Sequence, residues 1–276
     1  MVAKLLDEFP GYQFILDTSA GGVKGDIGPS RWAYHGSEGI NAVNPSTIQV
    51  AISRINWLES LARNRKVIVI EETVKEMQAG LRAINENASA LKEENDPLYD
   101  KTHSHRDRIG KFHKKMSGAS PDAVANLILL GRTMYGLIRA CSNKDARSYF
   151  TESQKNAYQR YFDRAECFSR DLKRRSLELK SWMKSPVTVR EDLETDSHII
   201  ATALTNALQY KTAIVTRDNG ISCLLARMRD SIADIYDPKN QGLRIPGRLP
   251  ALYNPDDSPM EETLLLPNPS FIQEAV

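Results

Sequence analysis

The chain has 276 residues, 41% of them hydrophobic, with 37 Lys and Arg against 35 Asp and Glu. That length can bury a full core as one elaborated domain or two small ones, and a net charge of +2 is too small to identify a partner. Three widely spaced cysteines, Cys141, Cys167 and Cys223, with no CxxC, exclude a disulfide scaffold and a thiolate zinc site.

Those cysteines read as reduced, buried thiols. Residues 1–10 carry Asp7 and Glu8 and lack the apolar core of a signal peptide. No apolar run is long enough to cross a bilayer. A cytoplasmic protein with no membrane partner is expected.

Tyr12-Gln13-Phe14-Ile15-Leu16 is a short apolar run ending at Asp17, as expected of a strand buried on both faces in a parallel sheet. An acid just past such a strand stands at the carboxyl edge, where open α/β sheets bind ligands. The glycine-rich stretch that follows has neither GxxxxGK[ST] nor GxGxxG, so a phosphate loop is not supported. Its Lys24, Arg31, Trp32, Tyr34 and His35 suit either a connector packed on the domain or a flap that meets a polyanionic substrate.

Asn44-Pro45 opens a helix with Ile48, Ala51, Ile52, Ile55, Leu58 and Leu61 on one face. Lys66 to Ile70 is the second buried strand, which makes a βαβ unit with the first. The next helix starts near Glu71. Its Glu71, Glu72 and Glu76 suit the helix dipole, and Glu76 also lies one turn in from the strand's carboxyl end.

Pro97 ends that helix, and Lys101 to Lys115 is polar and basic, with Arg106, Arg108 and the pair His103 and His105. No Cys or Glu completes a ligand set there, so a solvated basic segment is the expectation. Ser120-Pro121-Asp122 caps a strongly apolar helix. A long helical region follows from Asn143 to about Met183, apolar along Tyr158, Tyr161, Phe162, Ala165 and Phe168. Its other side is basic, with Arg160, Arg164, Arg170, Lys173, Arg174 and Arg175. Between Gln78 and Pro186 there are 21 Lys and Arg against 13 Asp and Glu, so the remainder of the chain is net acidic. An acidic core joined to a basic helical arm suits phosphodiester cleavage, carboxylates holding metals and cations holding the backbone.

Glu191 to Leu204 begins another helix, with Asp196 either its N-cap or a ligand. Strand Thr212 to Thr216, Asp218, a helix through Met228 and a last strand Ile232 to Tyr236 complete the expected elements. The Pro-, Gly- and Asn-rich residues 238–276 read as a tail wrapping the surface. The expected division is therefore 1–82 with 187–237, a helical basic insertion at 83–186, and that tail.

Asp17, Glu76, Asp196 and Asp218 all stand beside buried strand ends, where like charges repel unless a cation compensates them. Oxygen ligands without His or Cys point to Mg2+ or Mn2+. Four stretches carry a resemblance to the PIN-domain nucleases: Phe14-Ile15-Leu16-Asp17-Thr18-Ser19-Ala20, Ile70-Glu71-Glu72-Thr73-Val74-Lys75-Glu76-Met77, Asp196-Ser197-His198-Ile199-Ile200-Ala201-Thr202-Ala203-Leu204, and Val215-Thr216-Arg217-Asp218-Asn219-Gly220-Ile221. The resemblance implies a five-stranded parallel α/β/α sandwich and a metal site of Asp17, Glu76, Asp196 and Asp218. It also implies that Thr216 orients the acids by hydrogen bonding, with Ser19 a second candidate, and that the substrate is single-stranded RNA. Lys24, Arg31, Trp32, Arg106, Arg108, Arg174 and Arg175 are the candidate nucleic-acid contacts. An inhibitor protein or a second copy of the chain is a further partner such a site admits. The chain departs from compact PIN toxins in its long segment between the second and third acids and in its tail. The competing readings are a structure-specific DNA nuclease of flap-endonuclease type and a non-catalytic PIN-like scaffold for RNA or protein. A phosphatase using Asp17 as nucleophile would need a second Asp two residues on, where this chain has Ser19.

Overall fold

The computed structural model describes residues 5–7, 9–21, 45–94, 121–183, 193–235 and 249–254. Lys24, Arg31, Trp32, Tyr34, His35, Asn44, Pro97, the basic segment with His103, His105, Arg106 and Arg108, and residues 255–276 lie outside the described residues. The chain divides into two compact units. One comprises 1–5, 18–65 and 73–143, and the other 6–17, 66–72 and 144–276.

The second unit is built on a parallel sheet with strand order β2-β1-β3-β4. Its strands are β1 (Tyr12–Leu16), β2 (Val67–Ile68), β3 (Lys211–Val215) and β4 (Ala251–Tyr253). β1 pairs with β3 along its whole length, from Tyr12 beside Lys211 to Leu16 beside Val215. β2 adds Val67 beside Phe14, and β4 adds Ala251 beside Ala213. Successive strand residues point to opposite faces. Ile15, Ile68 and Ile214 therefore meet one layer of helices, while Phe14, Leu16, Ala213 and Val215 are fully buried on the other face.

The helices of this unit, numbered in chain order with those of the first, are α4 (Glu152–Met183), α5 (Leu193–Ala207) and α6 (Asn219–Ile235). Tyr161 and Ala165 of α4, Ile199, Ile200 and Leu204 of α5, and Leu224, Leu225 and Met228 of α6 close over Ile15 and Ile214 in one apolar core.

The first unit is helical. It contains α1 (Pro45–Ala62), most of α2 (Glu71–Glu94) and α3 (Pro121–Cys141). The expected stripe of α1 is buried throughout, Ile48 to Leu61, and α3 packs along it through Leu127, Leu130, Met134 and Leu137. Two glycines of α3 sit at close contacts, one against α1 and one against α2. A Cβ on Gly136 would stand 2.7 Å from Glu59 Oε2 of α1, and one on Gly131 would stand 3.0 Å from Asn85 Oδ1 of α2.

Several expectations are revised. Ile232 to Ile235 are helical, not a strand, because they continue the three- and four-residue apolar spacing of Ile221, Leu224, Leu225 and Met228. The fourth strand lies instead at Ala251–Tyr253, within the stretch read as a wrapping tail, where Ala251 is buried. Four strands, not five, are found among the described residues. The compact units follow helix packing, α3 with α1 in one and α4 with α5 in the other, whereas the expected division of 1–82 with 187–237 and 83–186 followed sequence composition. Cys167 and Cys223 are exposed, and only Cys141 is buried. Among the described residues no helix is long and apolar enough to cross a membrane.

Candidate functional site

The carboxyl ends of β1 and β3 are adjacent, and each ladder continues one residue past its strand. The Asp17 N–H donates to Val215 O at 3.0 Å, and the Thr216 N–H donates to Tyr253 O at 3.0 Å. Both residues are thus held by backbone before their side chains act. Asp17 and Thr216 are each only 4% exposed. The Thr216 hydroxyl donates to Asp17 Oδ2 at 2.7 Å and accepts the Asp218 N–H at 2.9 Å. One hydroxyl thereby ties two acids that are 201 positions apart in the sequence.

Asp218 closes the start of α6, its Oδ1 accepting the Gly220 N–H at 2.7 Å. That is the geometry of an Asx turn opening a helix. Asp196 is the fourth residue of α5, inside its first turn and not its N-cap. A Cβ added at Gly220 would lie 3.0 Å from Asp218 Oδ1 and 3.7 Å from Asp196 Oδ2. The missing side chain at Gly220 therefore keeps a space open that borders both acids. Gly220 lies within the fourth motif stretch, two residues after Asp218, but its sequence position carries no sign of the space it leaves.

Asp17, Thr216 and Asp218 thus meet at one sheet edge of the second unit, and Asp196 approaches the Gly220 position from α5. Glu76 belongs to the first unit, where its Oε2 accepts the hydroxyl of Thr18, the residue that follows Asp17 in the chain. Ser19 lies in the short 3-10 turn Thr18–Gly21 of that unit. Arg174 and Arg175 fall on α4, with side chains outside the described part. Among the described residues no three His, Cys, Asp or Glu side chains stand close enough together to enclose a metal ion.

A second polar cluster in the same unit was not anticipated. Arg147, in the 3-10 turn Ala146–Tyr149, donates to Glu72 through both terminal nitrogens, at 3.1 and 2.7 Å. It also donates to Asp145 through Nε, at 3.0 Å to each carboxylate oxygen, and to the Tyr158 hydroxyl at 3.2 Å. The Tyr158 hydroxyl lies 2.5 Å from His198 Nδ1, and the His198 ring stacks on Phe162 with centroids 4.3 Å apart. Asp145 also accepts the Glu71 N–H at 3.1 Å. Burial alone would raise the Asp145 pKa, but hydrogen bonds from the Arg147 side chain and backbone, with its charge, hold the carboxyl below the ordinary aspartate range. Burial likewise opposes the charge on Arg147, and its bonds to Asp145, Glu72 and Tyr158 more than restore it, so its pKa is raised. Burial raises the Tyr158 phenol, which therefore stays a proton donor.

Compared with models of protein families, with curated proteins and with solved structures, the chain matches none of them.

Proposed function

We propose that this chain is a divalent-metal-dependent nuclease, an endoribonuclease hydrolysing phosphodiester bonds of single-stranded RNA, on a PIN-like α/β/α fold. The observation that carries the reading is the Thr216 hydroxyl, which joins Asp17 and Asp218 at the carboxyl ends of adjacent parallel strands. Ligands of open α/β sheets bind at that edge. Asp17, only 4% exposed at that edge and close to Asp218, offers carboxylate oxygen of the kind that hard divalent ions take as ligands.

The donor set fits Mg2+ or Mn2+, being carboxylate and hydroxyl oxygen throughout, and the space beside Gly220 borders two of the donors. When bound, such an ion lowers the pKa of a water and stabilises charge on phosphoryl oxygen. The chain's own residues do the rest. Thr216 fixes the rotamer of Asp17, the Gly220 N–H fixes that of Asp218, and the first turn of α5 carries Asp196. The excess of Lys and Arg between Gln78 and Pro186 supplies cations for a phosphate backbone.

The test is cleavage of radiolabelled single-stranded RNA and DNA by the purified chain, with and without Mn2+. Asp17→Asn and Asp218→Asn should each lower cleavage by at least about 10²-fold while the chain stays folded by circular dichroism. Wild-type cleavage by both variants would reject the site.

A second reading is a PIN-like scaffold that binds RNA or protein without cutting it, and it is favoured by the finding that among the described residues no three carboxylates form a ligand cluster. On that reading, no variant of the three acids changes RNA binding and no cleavage is seen with any divalent ion.

A further inference from the structure

The cluster around Arg147 is a costly way to hold helices together. Arg147, Glu72, Asp145 and His198 have side chains only 15–26% exposed, and an apolar contact of the same size would stabilise at least as well. What hydrogen-bonded groups add is direction, since they fix angles that apolar surfaces leave free to slide.

Here the direction is imposed on α5. His198 lies two residues after Asp196, about 200° around a helix of 3.6 residues per turn. The two side chains therefore leave opposite sides of the same helix. On one side, Asp196 Oδ2 borders the space at Gly220. On the other, His198 is stacked on Phe162 and Tyr158, meets the Tyr158 hydroxyl at 2.5 Å, and has Nε2 3.6 Å from Glu72 Oε1. Glu72 and Asp145 anchor this side to the carboxyl end of β2: Asp145 accepts the Glu71 N–H, and the Val69 N–H donates to Lys144 O.

We propose that Arg147, Tyr158 and His198 are positioning residues that set the rotation of α5 and thereby aim Asp196 at the space bordered by Gly220 and Asp218. The proposal rests on the metal-site reading above. A carboxylate about 5–6 Å from the helix axis moves about 1 Å for a rotation of about 10°. Misplacement of that size costs on the order of 10²-fold in rate.

The experiment uses the full chain and four variants: Arg147→Ala, Tyr158→Phe, Ile199→Val and Asp17→Asn. Tyr158→Phe keeps the ring stacking and removes only the hydroxyl. Ile199→Val removes one methylene from the buried core at α5 and none of the cluster's hydrogen-bonding groups. Three readouts are taken: kcat and KM for labelled single-stranded RNA in Mn2+, the Mn2+ dissociation constant, and hydrogen exchange of α5 amides without metal.

Positioning predicts that Tyr158→Phe lowers kcat by about 10-fold and Arg147→Ala by about 10–100-fold, with KM within about twofold of wild type. Both should weaken Mn2+ binding and speed exchange at residues 196–200, whereas Ile199→Val keeps kcat and Mn2+ affinity. If Tyr158→Phe and Arg147→Ala lower only the melting temperature, the cluster is a structural tie and the proposal falls while Asp17→Asn still abolishes cleavage. If Asp17→Asn cleaves and binds Mn2+ like wild type, the metal-site reading falls and takes the proposal with it. Should Arg147→Ala fail to fold, Tyr158→Phe decides alone.

Discussion

Gly220 is the residue at which the site is most open to test. The position lacks a side chain where a Cβ would stand 3.0 Å from Asp218 Oδ1, closer than the carboxylate can accept without turning. That carboxylate is held by the Gly220 N–H itself, so it turns only by giving up a hydrogen bond at 2.7 Å. Gly220→Ala is expected to lower cleavage by about 10–10²-fold and to weaken Mn2+ binding, with a melting temperature near that of wild type. Alanine suits the first turn of a helix better than glycine does. Kinetics and thermal melts of the purified variant check this, and unchanged kinetics would show that the space beside Gly220 is not used.

The places of Asp17 and Asp218 beside the ends of β1 and β3 were legible in the sequence because each follows a short apolar run, a pattern local to a few residues. The Thr216 bridge was legible only through the family resemblance. Gly220 and the Arg147 cluster were not legible. Arg147, Glu72, Tyr158 and His198 come from four separate elements, and nothing in the spacing of any one of them announces the other three.

At the scale of elements, β1 and β3 follow from their apolar runs, the starts of α1 and α3 from Pro placement, and that of α2 from its acidic first turn. The expected strand Ile232 to Tyr236 failed because a run of five residues is too short to distinguish a two-residue period from a helical one. β4 failed for a different reason. Its three residues carry little pattern, and its place is set by pairing with β3 and not by its own composition.

The contact between β2, α2 and the 3-10 turn Ala146–Tyr149 runs through Asp145, and its electrostatics give a pH prediction. Asp145 has a folded pKa below its unfolded value of about 3.9. Its stabilising contribution is therefore complete above that value and is lost as pH falls through the lower folded pKa. The groups facing it are Arg147, which stays charged, the Glu71 N–H, and Glu72 beyond Arg147. The stability gap between wild type and Asp145→Asn should be widest near pH 6 and should narrow toward pH 3. Urea unfolding midpoints at the two pH values measure it. A gap that stays constant or widens on acidification would contradict the assigned role of Asp145.

At the scale of the whole molecule, pairing of β1 with β3 brings Asp17 beside Thr216 and Asp218, so the proposed site needs segments about 200 residues apart to pair. The charge is divided along the chain in the same sense, with 21 Lys and Arg against 13 Asp and Glu between Gln78 and Pro186 and a net acidic remainder. That division is legible from sequence, because counting charges needs no fold. The composition of the two compact units was not, since it depends on which helix packs on which.

The central claim is that the oxygen donors of Asp17, Asp196 and Asp218 bind a divalent ion together. It is tested most directly by titrating Mn2+ into the metal-free chain and counting bound ions by electron paramagnetic resonance. The account predicts saturable binding in wild type that weakens by at least about tenfold in Asp17→Asn and in Asp218→Asn. Equal binding by wild type and both variants, or none by any of them, would contradict it.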